Sequence, residues 1–168
     1  MNRNRKTSKP RREEIEELPL SKATEMLLSE SRMVLPGIQA LFGFQLIVVF
    51  NSAFGEKLNP LEQRLHLLAI ALVGVAIVII MTPPSYHRQT GPRDVTQRFI
   101  DLATRLMLLS MAPLALSIGL DFYLISRIIL NNVLLSLLFT LGLLTLFILL
   151  WFVLPRTEVL KRLFGGER

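Results

Sequence analysis

The chain has 168 residues, of which 51% are hydrophobic, and carries 19 Lys and Arg against 13 Asp and Glu, a net charge of +6. It contains no cysteine, which excludes disulfides, thiolate metal sites and cysteine nucleophiles. Its apolar residues are not interleaved with charge, as in a soluble domain, but stand in long uncharged runs.

In chain order, residues 1–12 are basic and polar and are expected to be disordered. Residues 13–32 are expected to form a cytosolic or interfacial helix, with Leu20, Ala23 and Leu27 on one face. The basic N-terminus runs into Glu13, Glu14, Glu16 and Glu17 rather than an apolar stretch, so no cleavable signal peptide is expected. Residues 33–55, 65–87 and 128–155 then contain no Asp, Glu, Lys or Arg. A fourth run, 106–120, lies between Arg105 and Asp121. A hydrocarbon core ~30 Å thick needs about 20 helical residues, so three runs qualify outright. The fourth qualifies if Arg105 or Asp121 snorkels to a membrane face.

The helix ends have local signals. Asn59-Pro60-Leu61-Glu62 reads as a capping box with proline at the first helical position. Pro83-Pro84 is expected to stop that helix. Asp94 with Gln97 reads as the start of the next, and Asn131-Asn132 and Pro155 bracket the last. The expected fold is all-α: a polytopic membrane protein with a four-helix transmembrane domain over 33–154. The spans are placed at about 33–54, 60–82, 100–121 and 132–154. A cytosolic tail occupies 155–168, with a surface helix expected over 157–164.

Basic residues set the orientation. Eight lie in 1–32, three (Arg88, Arg93, Arg98) in the middle loop and four (Arg156, Lys161, Arg162, Arg168) in the tail. The opposite side holds only Lys57, Arg64 and Arg127. The positive-inside rule therefore places both termini in the cytoplasm. It also accounts for most of the positive charge, so nucleic acid is not expected as a partner.

Polar residues near the spans are the candidate functional groups. His66 and His87 lie at opposite ends of one helix, ~30 Å apart, so no shared metal is expected, and His66 reads as interfacial. No hydrolase, phosphate-loop or metalloprotease motif is present; neither enzyme activity nor a cofactor is expected. Asp94, Arg98, Asp101 and Arg105 are spaced for one helical face. Asp101 and Arg105 are expected either to form an interfacial ion pair or to line a cytosol-facing polar entrance. Glu30, Arg32 and Gln39 supply a facing wall, and Gln39 and Gln45 read as buried amides that bond between helices. Small residues Ala103, Ser110, Ala115, Ser117 and Gly119 mark the third span as the central, closely packed one. Ser136 and Thr140 mark the inward face of the fourth.

The stretch Glu30-Ser31-Arg32-Met33-Val34-Leu35-Pro36-Gly37-Ile38-Gln39-Ala40-Leu41-Phe42-Gly43-Phe44-Gln45 resembles the opening of an uncharacterised family of small four-span bacterial membrane proteins. The Pro83–Arg88 turn and Arg105 add to that resemblance, which covers about 30–125. Some members of the family carry the label sodium:proton antiporter. The resemblance implies the bacterial cytoplasmic (inner) membrane and groups Glu30, Arg32, Gln39, Tyr86, His87, Arg88 and Arg105. With Asp101, these make a cytosolic polar cluster. The leading functional expectation is a scaffold or accessory protein, surrounded by lipid and assembling with itself or another membrane protein. The alternatives are a proton- or cation-linked transporter or channel acting as an oligomer, and a protein that binds anionic lipid or a small ligand at the cytosolic cluster.

Overall fold

The computed structural model describes residues 19–90 and 96–156. Its elements are α1 (Leu20–Val48), a short α2 (Ser52–Lys57), α3 (Pro60–Thr90), α4 (Gln97–Leu130) and α5 (Val133–Phe147). The chain continues from α5 through a wider π-helical stretch, Ile148–Val153, and one 3-10 turn, Leu154–Arg156. Among the described residues, four helices are long and apolar enough to cross a membrane.

Several boundaries differ from the sequence reading, each for a local reason. The helix expected before the first span and the span itself are one helix from Leu20 to Val48, because nothing between them breaks the backbone. Pro36 is accommodated inside that helix, where its missing N–H leaves the Arg32 carbonyl without its usual donor. The helix ends at Val48 rather than near 54 because Asn51 starts a new one: its side chain accepts from the Ala53 N–H at 3.0 Å. Pro83-Pro84 does not stop α3, which runs on to Thr90. Those prolines remove only the bonds to the Ile79 and Ile80 carbonyls, and His87 and Arg88 favour the negative end of the helix dipole. The N-cap of α4 is Thr96, which accepts from Phe99 N–H at 3.3 Å; Asp94 lies outside the described residues. α4 continues past Asp121, because a charge does not end a helix, and closes at Asn131. Asn131 is left-handed (φ 47°), a conformation asparagine tolerates. Residues 13–18 and the tail from 157 lie outside the described residues.

The α3 capping box forms as its sequence implies. Asn59 Oδ1 accepts from Leu61 N–H and Glu62 N–H, both at 3.0 Å, and Glu62 Oε2 accepts from Asn59 N–H at 2.9 Å. Asn132 likewise caps α5 by accepting from Leu135 N–H at 3.2 Å.

α4 is the central helix and packs against α1, α3 and α5. Small side chains allow this. Ala69, Val73, Ala76 and Ile80 form the buried stripe of α3, spaced 4, 3 and 4. They meet a stripe of α4 with a period of seven: Ala103, Ser110, Ser117 and Leu124, all buried. Ala115 and Gly119 are buried too. A Cβ on Gly119 would stand 2.7 Å from Leu144 Cδ2, so α5 seats Leu144 where the glycine leaves room. Ser136 and Thr140 are the buried residues of α5, and each hydroxyl is bonded to its own helix backbone. They act as small spacers rather than interhelical bonds. Most large apolar side chains, among them Phe44, Val78, Leu134 and Phe139, point outward. In water so much exposed apolar surface would drive aggregation, whereas in lipid it is the solvated face.

Candidate functional site

Gln45, His66, Ser117 and Asp121 meet toward the α2 end of the bundle, where Gln45 is the buried interhelical amide expected and His66 was expected only at the interface. The capping box fixes the start of α3 and puts Glu62, His66, Ala69 and Val73 on its buried face, toward α4. On α4, Ser117 and Asp121 are one turn apart and face the same way. Gln45 comes from the last turn of α1. Asp121 is nine residues inside the end of α4, about 14 Å along the axis. His66 is 5% and Gln45 3% exposed. His66 is therefore a buried group, not an interfacial one, and Phe54 of α2 packs edge-on against its ring at 5.3 Å.

The hydrogen bonds have defined directions. Ser117 Oγ donates to the Ala69 carbonyl at 2.8 Å. Gln45 Nε2 donates to Ser117 Oγ at 2.9 Å and also to Asp121 Oδ2. His66 Nε2 lies 3.0 Å from the Gln45 carbonyl, which can only accept, so this contact is a hydrogen bond when Nε2 carries the hydrogen. His66 Nδ1 lies 3.1 Å from Asp121 Oδ1. The imidazole thus stands between two acceptors, a carbonyl and a carboxyl. A neutral imidazole has one N–H and can satisfy one of them. The arrangement is complete only when the pair holds one further proton, as imidazolium with carboxylate or as neutral imidazole with carboxylic acid. Without it, two lone pairs face each other at hydrogen-bond distance in a nearly dry site. Three helices therefore bring an imidazole, a carboxyl and an amide into one hydrogen-bonded site.

Two features border this centre. One turn nearer the start of α3, Glu62 Oε1 lies 3.7 Å from Arg127 Nε, a second link between α3 and α4. A cavity of about 240 Å³ opens beside the centre, with Gln45, His66 and Asp121 among its walls and Leu41, Phe44, Leu124 and Ile125 providing most of the rest. Gln45 Oε1 is buried without a protein partner.

The expected cytosolic cluster is assembled in part. Arg32 of α1 and His87 and Arg88 of α3 line one groove of about 250 Å³. Tyr86 is exposed and stacks on Phe99, ring centroids 5.9 Å apart, and His87 meets the same ring at 5.6 Å. Glu30, Gln39, Asp101 and Arg105 are exposed and are not brought to that groove. Gln39 is thus not the buried amide expected. Asp101 accepts from Gln97 Nε2 at 3.2 Å, and no Asp101–Arg105 ion pair forms among the described residues.

Sequence reasoning missed the His66–Asp121 centre because it judged each residue by its depth along its own helix. A usable signal was there: Gln45, His66, Ser117 and Asp121 are polar intrusions at the same end of three neighbouring spans. Among the described residues no group of three or more His, Cys, Asp or Glu could hold a metal ion.

Four membrane-length helices among the described residues, three of them meeting at a buried polar centre, mark a multi-pass helical membrane protein. A family model described as "Family of unknown function (DUF6328)" matches residues 13–155, and the chain belongs to that family. No curated protein and no solved structure matches it.

Proposed function

We propose that the chain is a proton-linked membrane protein whose proton-binding centre is the His66–Asp121 pair. The observation that carries this reading is the imidazole held between two acceptors, a geometry that is satisfied by one added proton. Ionisable groups within membrane helices are costly to bury and mark ion pathways and proton relays. The adjacent cavity gives a lipophilic or protonated solute a place to meet the pair. The proton moves between Nδ1 and Oδ1 as the pair is loaded, and the Gln45 amide holds the carboxyl in register from its other oxygen.

In this reading the protein sits in the bacterial cytoplasmic membrane with both termini inside. The start of α1, the end of α3 and the start of α4 share one end of the bundle, and among the described residues Lys22, Arg32, Arg88, Arg98 and Arg105 belong to it against Lys57, Arg64 and Arg127 at the other, which supports that orientation. The protein works as an oligomer. The support is Gln39, an exposed amide well inside a membrane-length helix, for which a second copy would provide hydrogen-bonding partners.

The test is flux in proteoliposomes under an imposed pH or cation gradient, followed with a pH-sensitive dye. Wild-type protein is expected to dissipate the gradient faster than empty liposomes, and Asp121→Asn is expected not to. Correctly inserted wild-type protein that behaves like empty liposomes would overturn the reading.

A further inference from the structure

At the opposite end of the bundle from His66, α1 and α3 part to leave the groove of about 250 Å³. Its polar walls are Ser31, Arg32, Ser85, His87 and Arg88. Its apolar walls are Leu28, Leu35, Met81 and Pro84. Two guanidinium groups on facing helices repel one another across such a space unless something negative lies between them. Among the described residues neither arginine has a carboxylate partner; the ion pairs there are His66–Asp121 and Glu62–Arg127. The His87 ring is held against Phe99, which fixes one edge of the groove. Guanidinium forks match the oxygen geometry of a phosphate group, and two of them on separate helices clasp it from both sides.

From this we infer that the groove is a binding site for a phosphate group, with Arg32 and Arg88 as its principal ligands. The inference does not depend on the proton-binding centre. Two sources share this chemistry: the headgroup of an anionic phospholipid, whose first acyl carbons would lie along Leu28, Leu35 and Met81, and free phosphate.

The experiment uses the full chain in nanodiscs of phosphatidylcholine with one-fifth phosphatidylglycerol, released gently and weighed by native mass spectrometry. A parallel arm titrates inorganic phosphate against the same protein in phosphatidylcholine alone. Arg32→Gln and Arg88→Gln are each expected to weaken retention about tenfold, the loss of one charge-assisted contact. Arg105→Gln, at the same end but off the groove, is expected to stay within about twofold. Arg32→Lys and Arg88→Lys keep the charge and guard against a folding artefact; they are expected to retain more than the glutamine variants. Retention of phosphatidylglycerol without competition by inorganic phosphate assigns the site to lipid. Binding of inorganic phosphate assigns it to a free anion. Either supports the inference. It is overturned if neither probe binds, or if Arg105→Gln loses as much as the groove variants, since the effect is then only the general charge of that surface.

Discussion

Replacing Asp121 by asparagine separates the proton from the hydrogen-bond network around it. The substituted amide has nearly the same shape. Its oxygen accepts from Gln45 Nε2 in place of Oδ2, and its NH2 donates to His66 Nδ1 in place of the shared proton. His66 is then neutral, with its one hydrogen on Nε2 toward the Gln45 carbonyl. Every contact persists and the site holds one proton fewer. The loss is the difference between charge-assisted and neutral hydrogen bonds at two contacts, about 1–3 kcal/mol in total. Asp121→Ala is a different perturbation. It strands His66 Nδ1, at about 1–3 kcal/mol, and takes one of the two acceptors of Gln45 Nε2, which keeps its bond to Ser117, at about 0.5–1.5 kcal/mol, so the sum is about 1.5–4.5 kcal/mol. Stability is read by denaturant unfolding in mixed micelles. Proton content is read from the proton released per protein on an alkaline jump, with a soluble pH dye. Asp121→Asn is expected to fold and to release one proton fewer than wild type. If it is as unstable as Asp121→Ala, or releases as many protons as wild type, the extra proton is not where the hydrogen-bond directions put it.

Other substitutions test the packing and the links. Gly119→Val drives a branched side chain into Leu144 and is expected to cost about 1–3 kcal/mol; Leu144→Ala in the same chain is expected to restore part of that loss in the same unfolding assay. Ser117→Ala removes the bond to the Ala69 carbonyl and an acceptor for Gln45, with an expected cost of about 0.6–2 kcal/mol. Glu62→Gln keeps the cap on Asn59 N–H and weakens only a long pair to a part-exposed arginine, so its cost is expected to be below about 1 kcal/mol. Glu62→Ala removes both and is expected to cost more, a ranking that thermal unfolding in detergent resolves.

The legible parts of the fold were those governed by local chemistry. Uncharged runs located four membrane-length helices, and Asn59 with Glu62 located the start of α3 at the residue. The period-seven stripe of Ala103, Ser110 and Ser117 identified the buried face of α4, since small residues at that spacing have little use other than close approach. Helix termination was less legible. Pro83 and Pro84 break a helix only if the bonds they delete cannot be done without, and the last turns of α3 lose few. The polar centre was the least legible. His66, Gln45 and Asp121 are joined by contacts spanning 21, 55 and 76 positions of sequence, and which residues stand level across three helices depends on register. Gln39 and Gln45 illustrate the limit: both are glutamines in one apolar helix, yet one is buried and the other exposed.

The centre also has a timetable. Gln45 enters the bilayer with α1 and His66 with α3, but Ser117 and Asp121 arrive only with α4, after more than a hundred residues have been made. Until then the imidazole has no carboxyl and the Gln45 amide has no acceptor from α4. Closing the network is therefore a late step of assembly that locks the first two long helices onto the third. A chain that has not reached it displays unmet polar groups toward lipid, a signal by which an incomplete copy differs from a finished one.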